Sequence, residues 1–187
     1  MSHITTYTGL HFDPINPKEE WIRNIDIAHA LSLICRGNGH MKHFYSVAQH
    51  SINCAKEAKE KGFSLRVQLG CLLHDASEAY LSDVTRPVKK LLPQYLEVEN
   101  RLQEMIWNHW LHTPLSTEEK KQVFEVDDIL FYHEFWQLMG EKKINPLPVI
   151  QSEPELGEIS FQQVEQEFLE RLEALSRVYD MEAKEKD

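Results

Sequence analysis

The stretch Leu65-Arg66-Val67-Gln68-Leu69-Gly70-Cys71-Leu72-Leu73-His74-Asp75-Ala76-Ser77-Glu78-Ala79-Tyr80 carries the strongest structural signal in the chain. Ser64 offers a hydroxyl N-cap before it. Val67, Leu69, Cys71, Leu72 and Leu73 make it strongly apolar, so the stretch predicts a helix from Ser64 to about Tyr80. His74 and Asp75 come late in that helix, an expensive place for two polar groups unless they are paired or bind a metal. Adjacent helical residues point about 100° apart, so a cation beside the helix can be reached by both, one from each flank.

The flanking segments repeat the helical pattern. A helix from about Phe44 to Lys61 turns Val47, Ile52, Ala55 and Ala58 inward and ends at Gly62. Before it, Asp26 is the expected N-cap of a helix carrying Ile27, Ala30, Leu31 and Ile34, broken by Arg36-Gly37-Asn38-Gly39. Met1 to Pro17 reads as a short extended segment with a hairpin turn near Thr8-Gly9. Downstream, Pro87 and Pro93 bound a short basic helix, Val88 to Leu92, and a long helix runs from Gln94 to about Trp110. Ser116 with Glu119 forms a capping box for a helix reaching Met139. Lys142 to Ile159 holds three prolines and a glycine without a period, which marks a functional or mobile loop. Ser160 with Gln163 caps a last helix to about Val178, and 179–187 reads as a frayed tail. There is no internal repeat and no convincing sheet. The expected architecture is one all-α domain over residues 1–187, a bundle of six or seven helices.

Composition narrows the function. With 187 residues, 42% hydrophobic and 27% charged, the chain suits one globular domain with a continuous core. A net charge of −10 argues against broad adhesion to nucleic acid or anionic membrane. Residues 153–187 hold eleven acids against four bases, leaving the first 152 residues near balance at −3. An anionic small molecule can therefore still be met by local bases. No apolar run is long enough to span a membrane, and the N-terminus lacks the order of a signal peptide. Three cysteines without a C-x-x-C pair read as reduced thiols in a cytoplasmic protein.

Phosphate-binding loops, H-E-x-x-H and G-x-S-x-G are absent, so histidine and carboxylate remain. By composition alone about 0.4 His-Asp dipeptides are expected in such a chain, and the pair by itself decides nothing. Its surroundings add His50, on the preceding helix, and Asp127 or Asp128, amid Val126, Ile129 and Leu130. Two imidazoles and two carboxylates make a mixed N/O site that suits one divalent Mn, Co, Fe or Zn ion better than Mg or Ca. Such an ion would acidify water and polarise a phosphoryl oxygen. Arg86, Lys89 and Lys90 put three bases within five residues, an argument for an anion nearby. Trp21, Trp107, Trp110 and Trp136 read as core, and His29 as a core hydrogen-bonder.

Four ordered stretches carry a resemblance: Asp26-Ile27-Ala28-His29-Ala30-Leu31-Ser32, Phe44-Tyr45-Ser46-Val47-Ala48-Gln49-His50-Ser51, Leu72-Leu73-His74-Asp75-Ala76-Ser77-Glu78-Ala79-Tyr80 and Asp83-Val84-Thr85-Arg86-Pro87-Val88-Lys89. Over about Thr8 to Met139 the chain resembles the HD-domain metal-dependent phosphohydrolases, nearest to their 5′-deoxynucleotidase branch. The resemblance implies metal ligands His50, His74, Asp75 and Asp127. It favours Asp127 over Asp128 because a glutamate, Glu134, follows seven residues later and then Leu138-Met139. It implies catalytic roles near the attacking water for Glu78 and Asp83, and phosphate binding by Arg36, Lys89 and Arg86. The implied reaction is hydrolysis of a (deoxy)nucleoside 5′-monophosphate by metal-bound water. A deoxynucleoside triphosphate triphosphohydrolase and a non-catalytic nucleotide-binding regulator are the alternatives. The expected partner is a small nucleotide, with neither nucleic acid nor membrane, and Asp127 to Met139 is the candidate surface for a homodimer.

Overall fold

The computed structural model describes residues 3–184. A short hairpin, β1 (Ile4–Thr5) against β2 (His11–Phe12), pairs Ile4 with Phe12 and Thr5 with His11 around a turn in which Gly9 adopts φ +79°. All else regular is helical: α1 (Asn24–Leu33), α2 (Val47–Glu60), α3 (Leu65–Leu72), α4 (Glu78–Leu81), α5 (Arg86–Lys89), α6 (Pro93–Leu111), α7 (Thr117–Met139) and α8 (Phe161–Lys184). The expected all-α bundle is therefore observed. Among the described residues the helices number eight because the one expected from Ser64 to Tyr80 is two, α3 and α4, parted by turns at Leu73–Ser77.

Capping explains several boundaries. The Ser46 and Ser64 hydroxyls accept the backbone N–H groups of Gln49 and Val67, opening α2 and α3, and Ser116 with Glu119 forms the reciprocal box that opens α7. Asp26, expected as an N-cap, instead lies inside the first turn of α1, whose N-cap position is Arg23. Its buried carboxylate accepts from Thr6 Oγ1 (3.0 Å), Thr8 N (2.7 Å) and Thr8 Oγ1 (2.9 Å), pinning the hairpin turn to α1. The short basic helix is Arg86–Lys89 rather than Val88–Leu92, with Pro87 in its first turn. Residues 179–184, expected to fray, continue α8. The rest of that tail, 185–187, and residues 1 and 2 lie outside the described residues.

The core gathers around α3, which packs against α2, α6, α7 and α8. Leu69, Cys71, Leu72 and Leu73 are fully buried, with Val126 and Leu130 of α7 and Phe168 of α8. Gly70 lets α3 and α7 approach: a Cβ there would lie 2.9 Å from Val123 Cγ2. Trp107 is core, but Trp136 is 45% exposed, contrary to expectation, because it faces away from this packing. Residues 142–159 have no regular element, as expected, yet they are fastened. Gln49, Asn53 and Glu57, one turn apart on α2, bond Glu155 O and Gly157 O, Glu155 N and O, and the N–H groups of Gln151 and Ser152 respectively. Among the described residues no helix is long and apolar enough to cross a membrane.

Candidate metal centre

α2, the turn after α3, and α7 bring His50, His74, Asp75 and Asp127 together. His50 is fully buried, and its Nδ1 lies 2.7 Å from Glu134 Oε1. His74 Nδ1 lies 2.7 Å from Cys71 O. A carboxylate and a carbonyl only accept, so both Nδ1 atoms carry the proton and both Nε2 atoms are left with a lone pair. These two Nε2 atoms face one another at 3.2 Å. Asp127 Oδ1 stands 3.1 Å from the first and 3.7 Å from the second, and Asp75 Oδ2 stands 4.0 and 3.2 Å away. Four electron-pair donors around one point repel one another unless a proton or a cation lies among them. Without a metal the proton goes to His74. Burial works against its charge, but Asp75 and Asp127 outweigh that and raise its pKa well above the ordinary value. Burial opposes the charge of both acids, but His74 with Arg36 holds Asp75, and His50 with His74 holds Asp127, below the carboxylate range.

A second layer fixes this geometry. Glu134, fully buried on α7, accepts from Tyr45 Oη at 2.8 Å and from Arg36 Nε at 3.0 Å besides its contact with His50. Arg36 also reaches Asp75 Oδ2 (3.3 Å) and Asp127 Oδ1 (3.6 Å), so its single positive charge is shared among three carboxylates. Tyr45 Oη in turn accepts from Asn53 Nδ2 at 2.9 Å. The sequence offered one sign of Glu134's part. It lies two helical turns beyond Asp127, on the same face, and is an acid amid apolar neighbours. Nothing local marked Tyr45.

His50, Cys54 and His74 also form a buried group with one donor atom each in mutual reach, and such a group could hold a metal ion. The Cys54 sulfur lies 3.4 Å from His50 Nε2 and 3.9 Å from Nδ1. A ligand sharing a cation with Nε2 would stand well away from Nδ1, so the sulfur is placed against the ring rather than along the lone pair. In the metal-free protein burial, then Asp127 and Cys71, raise its pKa well above the ordinary value, whereas Asp127 Oδ1 lies within hydrogen-bonding line of His50 Nε2 at 3.1 Å. The carboxylates are therefore the better partners of the two imidazoles.

The centre opens into a cavity of about 870 Å³ whose walls include Arg36, Asp83, Arg86, Lys89, Phe131 and Phe135. Glu78 lines it too; its side chain is almost wholly buried, and Oε2 has no partner. Burial, then Asp75 and Asp83, push its pKa well above the ordinary carboxyl value. Asp83 is also raised, by burial first, with Arg36 opposing. Lys89 Nζ sits 2.6 Å from Glu99 and 3.6 Å from Glu78. Arg86 bonds Asp127 Oδ2 (2.7 Å) and Asp128 Oδ1 (2.8 Å) and lies over the Phe131 ring. Every residue to which the resemblance gives a role thus stands at the centre or on this cavity. Lys90 is not among its walls. His29 pairs with Glu165 at 3.0 Å and stacks on Tyr7, while His109 and His112 pair with Glu19 and Asp180.

The all-helical scaffold and the buried histidine group define a protein able to hold a metal ion beside a large cavity. No family model matches the chain. Over 108 residues it is 44% identical to the uncharacterized protein YfdR of Escherichia coli strain K12, the match covering 57% of each chain. Over 100 residues it is 36% identical to an uncharacterized protein of Rhodobacter capsulatus, covering 51% of each. The chain spans about half the length of the curated relatives it matches.

Proposed function

We propose that this chain is an HD-type, metal-dependent phosphohydrolase that converts (deoxy)nucleoside 5′-monophosphates to nucleoside and phosphate. The observation that carries the reading is the convergence of His50 Nε2, His74 Nε2, Asp75 Oδ2 and Asp127 Oδ1 at the base of the cavity, with separations of 3.1–4.0 Å about the two imidazole nitrogens. These residues fit a divalent transition ion. Each imidazole has its proton tied elsewhere, one to a carboxylate, an arrangement typical of metal-binding histidines. A Mn, Co, Fe or Zn ion held there would supply Lewis acidity toward a phosphoryl oxygen and make water more acidic. The four ordered stretches shared with HD-domain deoxynucleotidases support the same conclusion.

The remaining roles follow from placement. Arg36 keeps Nε on Glu134, while Nη1 and Nη2 lie on the two carboxylates that would ligate the ion; those nitrogens are the ones a phosphate oxygen can take once the carboxylates are engaged. Glu78, held neutral, can donate its proton to the leaving oxygen, and Asp83 at the cavity wall can orient water. Lys89 steadies Glu78 and adds positive charge. Arg86 stands at the rim. A triphosphate would need bases to spare. Arg86, Lys89, Lys120 and Lys143 line the cavity, each paired with a carboxylate as Arg36 is, so the products formed decide between a mono- and a triphosphate. The three free cysteines suit a reducing compartment, and we assign the protein to the cytoplasm.

The test is to strip the protein of metal and incubate it with deoxynucleoside mono- and triphosphates, adding Mn²⁺, Co²⁺, Zn²⁺ or Mg²⁺ separately, with Asp75→Ala alongside. Metal-dependent release of nucleoside and orthophosphate, absent in the variant, is the expected result. Tripolyphosphate would identify a triphosphohydrolase, and binding without turnover would leave a nucleotide-binding regulator.

A further inference from the structure

The helix beginning at Leu65 stops at Leu72, although the apolar pattern continues, and the stop is made by side chains of α6. A helix end leaves backbone carbonyls without partners. Here Gly70 O accepts from Trp107 Nε1 at 3.2 Å and Cys71 O from His74 Nδ1 at 2.7 Å. Leu73 O accepts from Gln103 Nε2 at 2.7 Å, besides Ala76 N at 3.0 Å. Gln103 has a second contact: its Oε1 accepts the Ser77 backbone N–H at 3.1 Å. One amide therefore grips the chain on both sides of His74 and Asp75. Gln103 is buried, and Trp107 follows it one turn later on the same face of α6.

The backbone between these grips is wound more tightly than an α-helix. Ala76, Glu78 and Ala79 donate to Leu73, Asp75 and Ala76, each three residues back. An α-helix would part side chains 74 and 75 by about 100° and this tighter winding by about 120°, so their approach depends on where the turn is held and on the rotamers it permits. In the turn, His74 Nε2 and Asp75 Oδ2 come to 3.2 Å. An amide is the one side-chain group of this length that offers a donor and an acceptor together at neutral pH. A carboxylate would satisfy Ser77 N and repel Leu73 O.

We propose that Gln103 is a positioning residue for the candidate metal-ligand pair His74 and Asp75, clasping the helix break that carries both. The consequence for metal rests on the metal reading above, while the clasp itself does not. Gln103→Glu and Gln103→Leu, with the core truncation Leu172→Ala as a control for general destabilisation, test both. Two quantities are measured in the full chain: Co²⁺ affinity by visible absorption titration, and amide hydrogen exchange of the metal-free protein. Both Gln103 variants are expected to bind Co²⁺ about 10- to 100-fold more weakly. Exchange over residues 73–81 should be about tenfold faster, the equivalent of one lost hydrogen bond. Leu172→Ala should leave Co²⁺ affinity unchanged and speed exchange across the core instead of over 73–81 in particular, and if Gln103→Leu does not fold, Gln103→Glu decides. Wild-type Co²⁺ affinity in a folded Gln103 variant would overturn the positioning role. Should the wild type itself bind no Co²⁺, the metal reading fails and exchange alone judges the clasp: acceleration confined to 73–81 upholds it, and unchanged exchange overturns it.

Discussion

Replacing Glu134 by glutamine would keep the side chain's volume and an acceptor for His50, but would remove the negative charge that makes the imidazole a better ligand and balances Arg36. Partners of this kind are worth about 10- to 100-fold in metal affinity, and Glu134→Gln is expected to lose that much in competition with a chromophoric chelator. Tyr45→Phe removes a neutral hydroxyl one step further from the ion, so an affinity loss as large as that of Glu134→Gln would show that the network, rather than the carboxylate, sets the ligand. Glu78 gives a pH signature instead. Its folded pKa is raised above the ordinary value of 4.5, by burial first and then by Asp75 and Asp83. The unfolded chain therefore loses this proton first as pH rises. The stability conferred by the neutral carboxyl is complete below the unfolded pKa and is lost as pH rises toward the folded one. Glu78→Gln cannot ionise. In chelator, its unfolding free energy from urea titration should match the wild type's near the unfolded pKa and exceed it at pH 7 by about 1–3 kcal/mol, the scale of a buried polar group left unmatched. A gap that does not grow with pH would refute the assignment. Turnover in the same variant should fall by about 10²- to 10⁴-fold, the usual contribution of a positioned acid.

At the scale of elements, the strap 142–159 shows how an aperiodic segment is held. Its backbone bonds to three α2 side chains spaced four residues apart, of which Glu57 alone receives the N–H groups of Gln151 and Ser152. Glu57→Ala leaves those donors without a partner and is expected to cost about 1–3 kcal/mol. It should also admit limited proteolysis within 142–159 before any cut elsewhere, and resistance equal to wild type would show that Gln49 and Asn53 suffice. The sequence made this face of α2 readable as polar but not as a fastening, because its partners lie about a hundred residues away. The break at Leu73–Ser77 was hidden for the same reason. Periodicity reports Leu69, Leu72 and Leu73 and is blind to Gln103. Asp26 was misjudged because an acid near a helix start suits both a cap and a clamp for Thr6 and Thr8. That His50, His74, Asp75 and Asp127 would come together was legible, since histidines and acids placed among apolar residues have few other reasons to be there.

For the molecule as a whole, the centre is also a seam. Its candidate ligands come from α2, from the turn after α3 and from α7, which surround the main core, so an ion bound there ties together elements that otherwise meet mainly through apolar contact, with the Arg66–Glu119 and Lys61–Glu125 pairs at their far ends. Without the ion, Asp75, Asp127 and Glu134 are balanced by Arg36 and a protonated His74, an arrangement that a divalent cation can replace with less strain among the facing lone pairs. Binding to the folded state alone stabilises it by mass action, about 2.7 kcal/mol at a hundredfold excess over Kd. In a chain of this size that corresponds to a rise in Tm of about 5–10 °C. Mn²⁺, Co²⁺ or Zn²⁺ added to stripped protein should produce such a rise in a calorimetric scan, reversed by chelator and absent in Asp75→Ala. Cys54→Ser separates the two possible donor sets: if the shift survives it, the ion lies with the carboxylates, and if the shift vanishes while Asp75→Ala retains it, the ion belongs to His50, Cys54 and His74.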